Sequence, residues 1–348
     1  MAHQDDACFF TISNEAYFPG VVALINSLVL TGHDYPIVVG DCGLTEQQQA
    51  VLLGYGRCRL FKLDPNMVQN PLQYKAFAHL AHADGVAVII DSDMIVTGSL
   101  EPIIERARNG KLCAFANPGD RRWFSEWQDI FGLSTAPRRQ TYICTGFQAF
   151  SVSHWPKLLE QWWNACRAIH SHPTYQETGD MSLPTAQGDQ DALNALLMSE
   201  YPSEAVFLER FDGQVHRLSL RDVKTLDVGT LACEFQGDRP LILHASCMPK
   251  PWMRKGAARN TYFVFLHRLL TGPDLQIRPP ASMLDGFLSP GVSGWILRHR
   301  QFLSNMGLIA LAISYCPHRF KMAARQAKAT MKQQLAQWRQ PVRGRRSA

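Results

Sequence analysis

The stretch "GVAVIIDSDMIV", residues 85–96, decides how this chain is read. Val86 to Ile90 form an unbroken apolar run, the pattern of a strand covered on both faces, as in a parallel sheet. The run ends on Asp91, and Asp93 follows one residue later. Working outward, "ACFFTI" (7–12), "PIVVG" (36–40) and "CRLFKL" (58–63) read as further strands. Between them lie helical patterns: "SNEAYFPGVVALINSLVL" with Ser13 as the expected N-cap, "LTEQQQAVLL" with Thr45 and Gln48 at capping-box spacing, and "PLQYKAFAHLAH". Strand and helix alternate over the first hundred residues. The expectation is an α/β fold with a mostly parallel sheet flanked by helices.

The middle of the chain is less regular. "KLCAFA", "TGFQAFSV" and "LILHAS" read as strands; "HWPKLLEQWWNACRAI" and "DQDALNALLMSE" read as helices. The Trp- and Arg-rich segment 118–140 reads either as a lid or as a surface loop. From about Pro273 the texture turns to Pro, Gly and Ser. The domain reading is therefore a catalytic-type body at 1–270, a linker or strap at 271–294, and a tail at 295–348.

The tail is basic. After Asp285 there is no Asp or Glu but 11 Lys and Arg, leaving the preceding part with 24 of the 35 basic residues against 30 acidic ones. A wholly basic helical tail that starts with a short apolar stretch points to an anionic membrane surface, the other reading being a helix packed on the body with its basic face in solvent. No nucleic-acid module is recognisable in it. No apolar run reaches the roughly 18 residues of a spanning helix, and the N-terminus has no secretory pattern. The nine cysteines are odd in number and form no C-x-x-C pair, which reads as reduced thiols in a cytoplasmic protein.

The two aspartates have two readings. In one they close a strand-end turn, with Asp93 or Thr97 capping the helix "SLEPIIERA". In the other they sit where a buried strand leaves an open α/β sheet, the usual place for a ligand, and hold a hard divalent ion. Two carboxylates this close raise one pKa unless a cation compensates them. His244, at the end of "LILH", with Lys250 six residues on, would complete a clamp for a diphosphate: ion on one side, ammonium on the other. Standing alone, the segment reads rather as a core histidine and a surface lysine.

Five segments in order, "FFTISNEAYFPGVVALINSL", "KAFAHLAHADGVAVIIDSDMIV", "TGFQAF", "GDQDALNALL" and "HASCMPKPW", resemble glycosyltransferase family eight over residues 8 to 255. The resemblance implies a GT-A (Rossmann-like) fold and transfer of a hexose from a UDP-sugar, with retention, to an acceptor hydroxyl. It implies Mn2+, or Mg2+, held by Asp91, Asp93 and His244, with Asp91 also on the donor ribose. It places Lys250 on the donor diphosphate, and Thr11, Asn14 and Tyr17 around the base. Lys75 falls on a donor-contacting basic position, and Asp189 and Gln190 near the reacting sugar, on a helix that Gly188 precedes. Two positions depart from the family pattern: Cys144 stands where Asn is usual, and Cys247 where Gly is usual.

The implied partners are a nucleotide-sugar donor, a glycan or glycolipid acceptor of the lipopolysaccharide or surface-polysaccharide kind, and the inner face of a membrane. Two alternatives stay open. One is a nucleotide-sugar binder of the same fold with impaired catalysis, suggested by the two cysteines. The other is a sugar nucleotidyltransferase, which should carry a Gly-rich basic loop where "TISNEAYFPG" stands.

Overall fold

The computed structural model describes residues 6–64, 71–80, 85–119, 121–171, 181–246, 248–253 and 260–284. Apart from Met253 they belong to one compact unit, Met1–Trp252 with Arg259–Leu284. The basic tail and Cys247 lie outside the described residues.

The apolar runs form the strands expected of them. β1 (Ala7–Ser13), β2 (Ile37–Asp41), β3 (Cys58–Lys62) and β4 (Val86–Ile90) run parallel in the order β3-β2-β1-β4. Next comes β5 (Met94–Val96), then β6 (Leu112–Ala116), β7 (Ile143–Ser151) and β8 (Val206–Leu208). β7 is antiparallel to both β4 and β6, and β8 is parallel to β6, which completes a seven-stranded mixed sheet. β1, β2, β4 and β7 are buried along nearly their whole length, because helices cover both faces. A second sheet, ordered β5-β12-β9, is built from β9 (Gln214–His216) and β12 (Ile242–His244) with β5. A hairpin of β10 (Lys224–Asp227) and β11 (Ala232–Glu234) stands apart.

The helices are α1 (Phe18–Leu30), α2 (Glu46–Leu53), α3 (Glu101–Arg108), α4 (Trp127–Phe131), α5 (Leu158–Ser171), α6 (Asp189–Ser199) and α7 (Thr261–Thr271). α1 is apolar except at Asn26 and Ser27, whose side chains are hydrogen-bonded, and it is accordingly buried. Its Gly20 is a close-approach point: a Cβ there would lie 2.5 Å from the Ser92 carbonyl oxygen and 2.5 Å from the Trp252 ring. The first loop, the D-x-D loop and the "KPW" segment therefore meet at this glycine.

Three local expectations need correction. Ser13 is the last residue of β1, and Asn14 is the cap: its Oδ1 accepts from Tyr17 N and opens a single 3-10 turn before α1. "PLQYKAFAHL" winds as 3-10 helix over Pro71–Leu80 instead of α-helix. Neither Asp93 nor Thr97 caps α3, whose N-cap is Leu100 with no side-chain bond; Thr97 donates to Pro240 O instead. The Thr45–Gln48 capping box forms as expected. Residues 121–140 are tied to the body at several points. Trp127 is fully buried, and Arg122 and Arg138 are tied to the two ends of α6. Asn26 ties α7 and the segment after it to α1: its Nδ2 donates to Leu269 O and Ile277 O at 2.8 Å each.

Candidate functional site

The order β3-β2-β1-β4 puts the topological switch between β1 and β4. Ligands of open α/β sheets bind outside the carboxyl ends at such a point. Here β1 delivers Thr11, Asn14 and Tyr17, and β4 delivers Asp91 and Asp93. The backbone fixes this edge. Asp91 N donates to Gly146 O at 2.8 Å, and Met94 N to Asp91 O at 3.0 Å. The Asp93 carbonyl accepts from Ala245 N at 3.1 Å and from Tyr262 Oη at 2.8 Å. β12 pairs antiparallel with β5 in the register His244↔Met94, and so brings the imidazole to the acids from 150 residues away in sequence.

His244 Nε2 lies 3.2 Å from Asp93 Oδ1 and 3.8 Å from Asp91 Oδ2. One ligand atom from each of the three falls within 4.8 Å of the others. The donor set, two carboxylates and an imidazole, suits a divalent ion of the Mn2+ class. Asp93 Oδ1 is buried and accepts no hydrogen bond, although His244 Nε2 is near, so a ligand lone pair stands unused. These residues fit a divalent ion.

The surrounding charges balance the acids. Lys250 Nζ hydrogen-bonds Asp93 Oδ2. Burial pushes the Asp93 carboxyl up, but His244 and Lys250 outweigh it and hold it well below the usual carboxylate range. Burial likewise pushes His244 down, but Asp93 overcomes this and raises it to about 10. An arriving ion must therefore displace a proton and an ammonium.

On the other side Lys75 is buried and spends all three N–H bonds. It reaches Asp91 Oδ1 at 2.8 Å, Asp189 Oδ2 at 3.3 Å and Thr145 O at 3.0 Å. Burial lowers its pKa, but Asp189 and Asp91 outweigh burial and hold it above the ordinary value. Asp189 also accepts from Thr145 Oγ1 at 3.1 Å, and burial pushes its carboxyl up against the partial offset from Lys75. Gln190 Oε1 accepts from Thr145 N at 3.0 Å. Asp191, two residues after Asp189 in a second D-x-D pattern, pairs with Arg122 at 2.6 Å. Asp191 is thereby given to the packing of segment 121–138 against α6, and Asp189 and Gln190 to the cavity.

All ten residues singled out from the sequence (Thr11, Asn14, Tyr17, Lys75, Asp91, Asp93, Asp189, Gln190, His244 and Lys250) line one cavity of about 880 Å³. Lys250 Nζ stands 5.4 Å from the centre of the Tyr17 ring. The sequence reading missed two residues of β9: His216, which lines the same cavity, and Gln214, whose Nε2 lies 3.1 Å from His244 Nδ1. Their i, i+2 spacing in "GQVH" puts both on one strand face, but nothing in it tells a site from a core.

Gly146 is the tightest point of the site. A Cβ there would lie 2.5 Å from Met94 Cε, 2.8 Å from His244 Cε1 and 3.1 Å from Asp91 Oδ2. Gly146→Ala is expected to wedge the acid from the imidazole. Overpacking of this kind costs about 1–3 kcal/mol. The protein should remain folded with a lowered melting temperature, and Mn2+ titration should show at least about tenfold weaker binding.

No family model matches the sequence, and no curated protein matches it either. Solved structures do. An active-site mutant of LgtC superposes with TM-score 0.52 at 16% identity, covering 77% of this chain and 98% of that one. The apo structure of the bifunctional glycosyltransferase WbbM gives TM-score 0.52 at 16% identity, covering 78% of this chain; the chain spans about half (51%) of its length. The shared architecture is the GT-A, Rossmann-like mixed sheet of mostly parallel strands flanked by helices.

Proposed function

We propose that this chain is a metal-dependent retaining glycosyltransferase of the family-eight kind, moving a hexose from a UDP-sugar to an acceptor hydroxyl. The observation that carries the reading is the meeting of Asp91, Asp93 and His244 within 4.8 Å at the switch point of the sheet, with Lys250 beside them. The GT-A fold, shared with LgtC and WbbM, supports the same class.

Asp91, Asp93 and His244 would hold Mn2+ or Mg2+. When bound, the ion would supply positive charge to the diphosphate as it leaves. The chain's own residues account for the rest. Lys250, released from Asp93, turns its ammonium to the diphosphate, where a donor is worth most as charge develops. Tyr17 and Asn14, on the loop after β1, bound the cavity where the base lies, and Thr11 Oγ1, buried without a partner, faces the same space. Lys75 locks Asp91 and Asp189 in place, so that Asp189 and Gln190 border the hexose from the start of α6.

Neither side chain that borders the hexose is a free nucleophile. Asp189 is engaged by Lys75 and Thr145, and Gln190 by the Thr145 amide. The acceptor hydroxyl therefore attacks the face the diphosphate leaves. The bond from the anomeric carbon to the phosphate oxygen breaks, the bond to the acceptor oxygen forms, and the hydroxyl proton passes to the departing phosphate oxygen.

The acceptor class is a glycan or glycolipid of surface-polysaccharide synthesis. The basic composition of the tail supports work at the inner face of an anionic membrane. No helix among the described residues is long and apolar enough to cross one.

Incubation with UDP-glucose or UDP-galactose and Mn2+ without acceptor tests the reading. Slow UDP release that chelation stops is the expected result. UDP binding with no turnover from any donor would instead make the chain a nucleotide-sugar binder.

A further inference from the structure

A second set of ligand atoms lies behind the first. Cys144 on β7, His216 on β9 and His244 on β12 each offer one ligand atom, all within 4.8 Å of one another. β9 and β12 run parallel in the register His216↔His244, so the two imidazoles stand side by side, with ring centres 5.4 Å apart. One ring nitrogen of each imidazole and the Cys144 sulfur converge on one group, the Gln214 carboxamide. Its Nε2 is 3.5 Å from Cys144 Sγ, 3.3 Å from His216 Nε2 and 3.1 Å from His244 Nδ1. Three ligand atoms thus crowd one amide nitrogen. The Gln214 Oε1 is buried with no partner at all.

We propose that Cys144, His216 and His244 form a site for a soft or borderline transition-metal ion such as Zn2+, and that its occupation excludes the ion held by Asp91 and Asp93. A thiolate with two imidazoles selects such ions, whereas two carboxylates with an imidazole suit Mn2+ or Mg2+. The Gln214 amide, now at the centre of the three atoms, gives way on binding, and its unpaired Oε1 is available as a fourth ligand. Binding releases the Cys144 thiol proton and the His244 Nδ1 proton to solvent, which leaves a thiolate and neutral imidazoles on the ion.

The exclusion follows from which nitrogen is used. His244 faces Gln214 with Nδ1 and Asp93 with Nε2. An imidazole ligating through Nδ1 keeps its one proton on Nε2. That nitrogen then has no lone pair for an ion between the aspartates, and it directs its hydrogen at Asp93 Oδ1, the acceptor that lacks a partner. His216 is suited to ligation, because its Nε2 already faces the position of the Gln214 amide from beside the His244 ring.

This exclusion rests on the proposed function; the soft site itself does not. Co2+ added to the full-length protein tests the site directly, through the thiolate-to-cobalt charge-transfer absorption. The band is expected in the wild type and in Asp91→Asn, and is expected to be lost in Cys144→Ser and in His216→Ala, with circular dichroism confirming that each variant is folded. A band that persists in Cys144→Ser, or that is absent from the folded wild type, overturns the proposal. Zn2+ should also displace Mn2+ from the wild type, and Cys144→Ser should need at least about tenfold more Zn2+ for the same displacement. Simultaneous full binding of both ions would overturn the exclusion. Because the cobalt band needs no turnover, it decides this inference even if no UDP-sugar is a substrate.

Discussion

Asp93→Ala is expected to lower UDP-sugar turnover by about 10³-fold or more. Loss of the ion's stabilisation of the leaving diphosphate is worth several kcal/mol, and about 4 kcal/mol corresponds to that factor. The effect should fall on kcat as well as on Mn2+ affinity, since the charge it stabilises develops in the transition state. The same substitution strips two cations of their partner. Asp93 is buried and contacts both His244 and Lys250. Removing one side of a buried pair costs about 3–5 kcal/mol. The cost here should lie at the low end, because His244 is raised to about 10 chiefly by Asp93 and sheds its proton once the acid is gone. Assays below the melting temperature of the variant separate the two effects. Turnover within about tenfold of wild type in a folded Asp93→Ala protein would contradict the assignment.

Lys250→Met should act in opposite directions on two measurements. Without donor, Lys250 occupies Asp93 Oδ2, an oxygen the divalent ion needs. A hydrogen bond between charged groups is worth about 1.5–3 kcal/mol, so removing this competitor should tighten Mn2+ binding by about 10- to 100-fold. With donor, the same lysine is the ammonium on the diphosphate, and its loss should lower kcat by about 10²–10³-fold. Calorimetry of Mn2+ binding and a UDP-release assay read the two arms. Tighter metal binding with lost turnover identifies Lys250 as a stand-in for the ion. Weaker metal binding would show that it only supports the acids structurally.

Much of this was legible from the sequence because parallel strands are buried on both faces. "ACFFTI", "PIVVG" and "GVAVII" could not be mistaken for half-exposed strands, and each forms a strand of the main sheet. Local side-chain chemistry was legible where both partners lie within one turn, as with Thr45 and Gln48. It misled where two polar residues compete for one role: Asn14 caps the first turn, and Ser13 stays in β1. The 3-10 winding of Pro71–Leu80 has no signature in a pattern that also fits an α-helix.

The site was legible as a set of residue types but not as a network. Nothing near Lys250 in sequence announces Asp93, its partner 157 residues away. Lys75 was expected only to touch the donor, yet it bridges the D-x-D acid and the start of α6. Gln214 and His216 sit on a strand of three residues, too short to show a period, and acquire meaning only when β12 lies beside it.

The most direct measurement is a crystal of the protein grown with Mn2+ and UDP, with the manganese located by its anomalous signal. The peak is expected among Asp91, Asp93 and His244 Nε2, with the diphosphate against it and Lys250 turned from Asp93 to the phosphates. UDP bound with no manganese at those three side chains, or manganese held elsewhere in the cavity, would contradict the account.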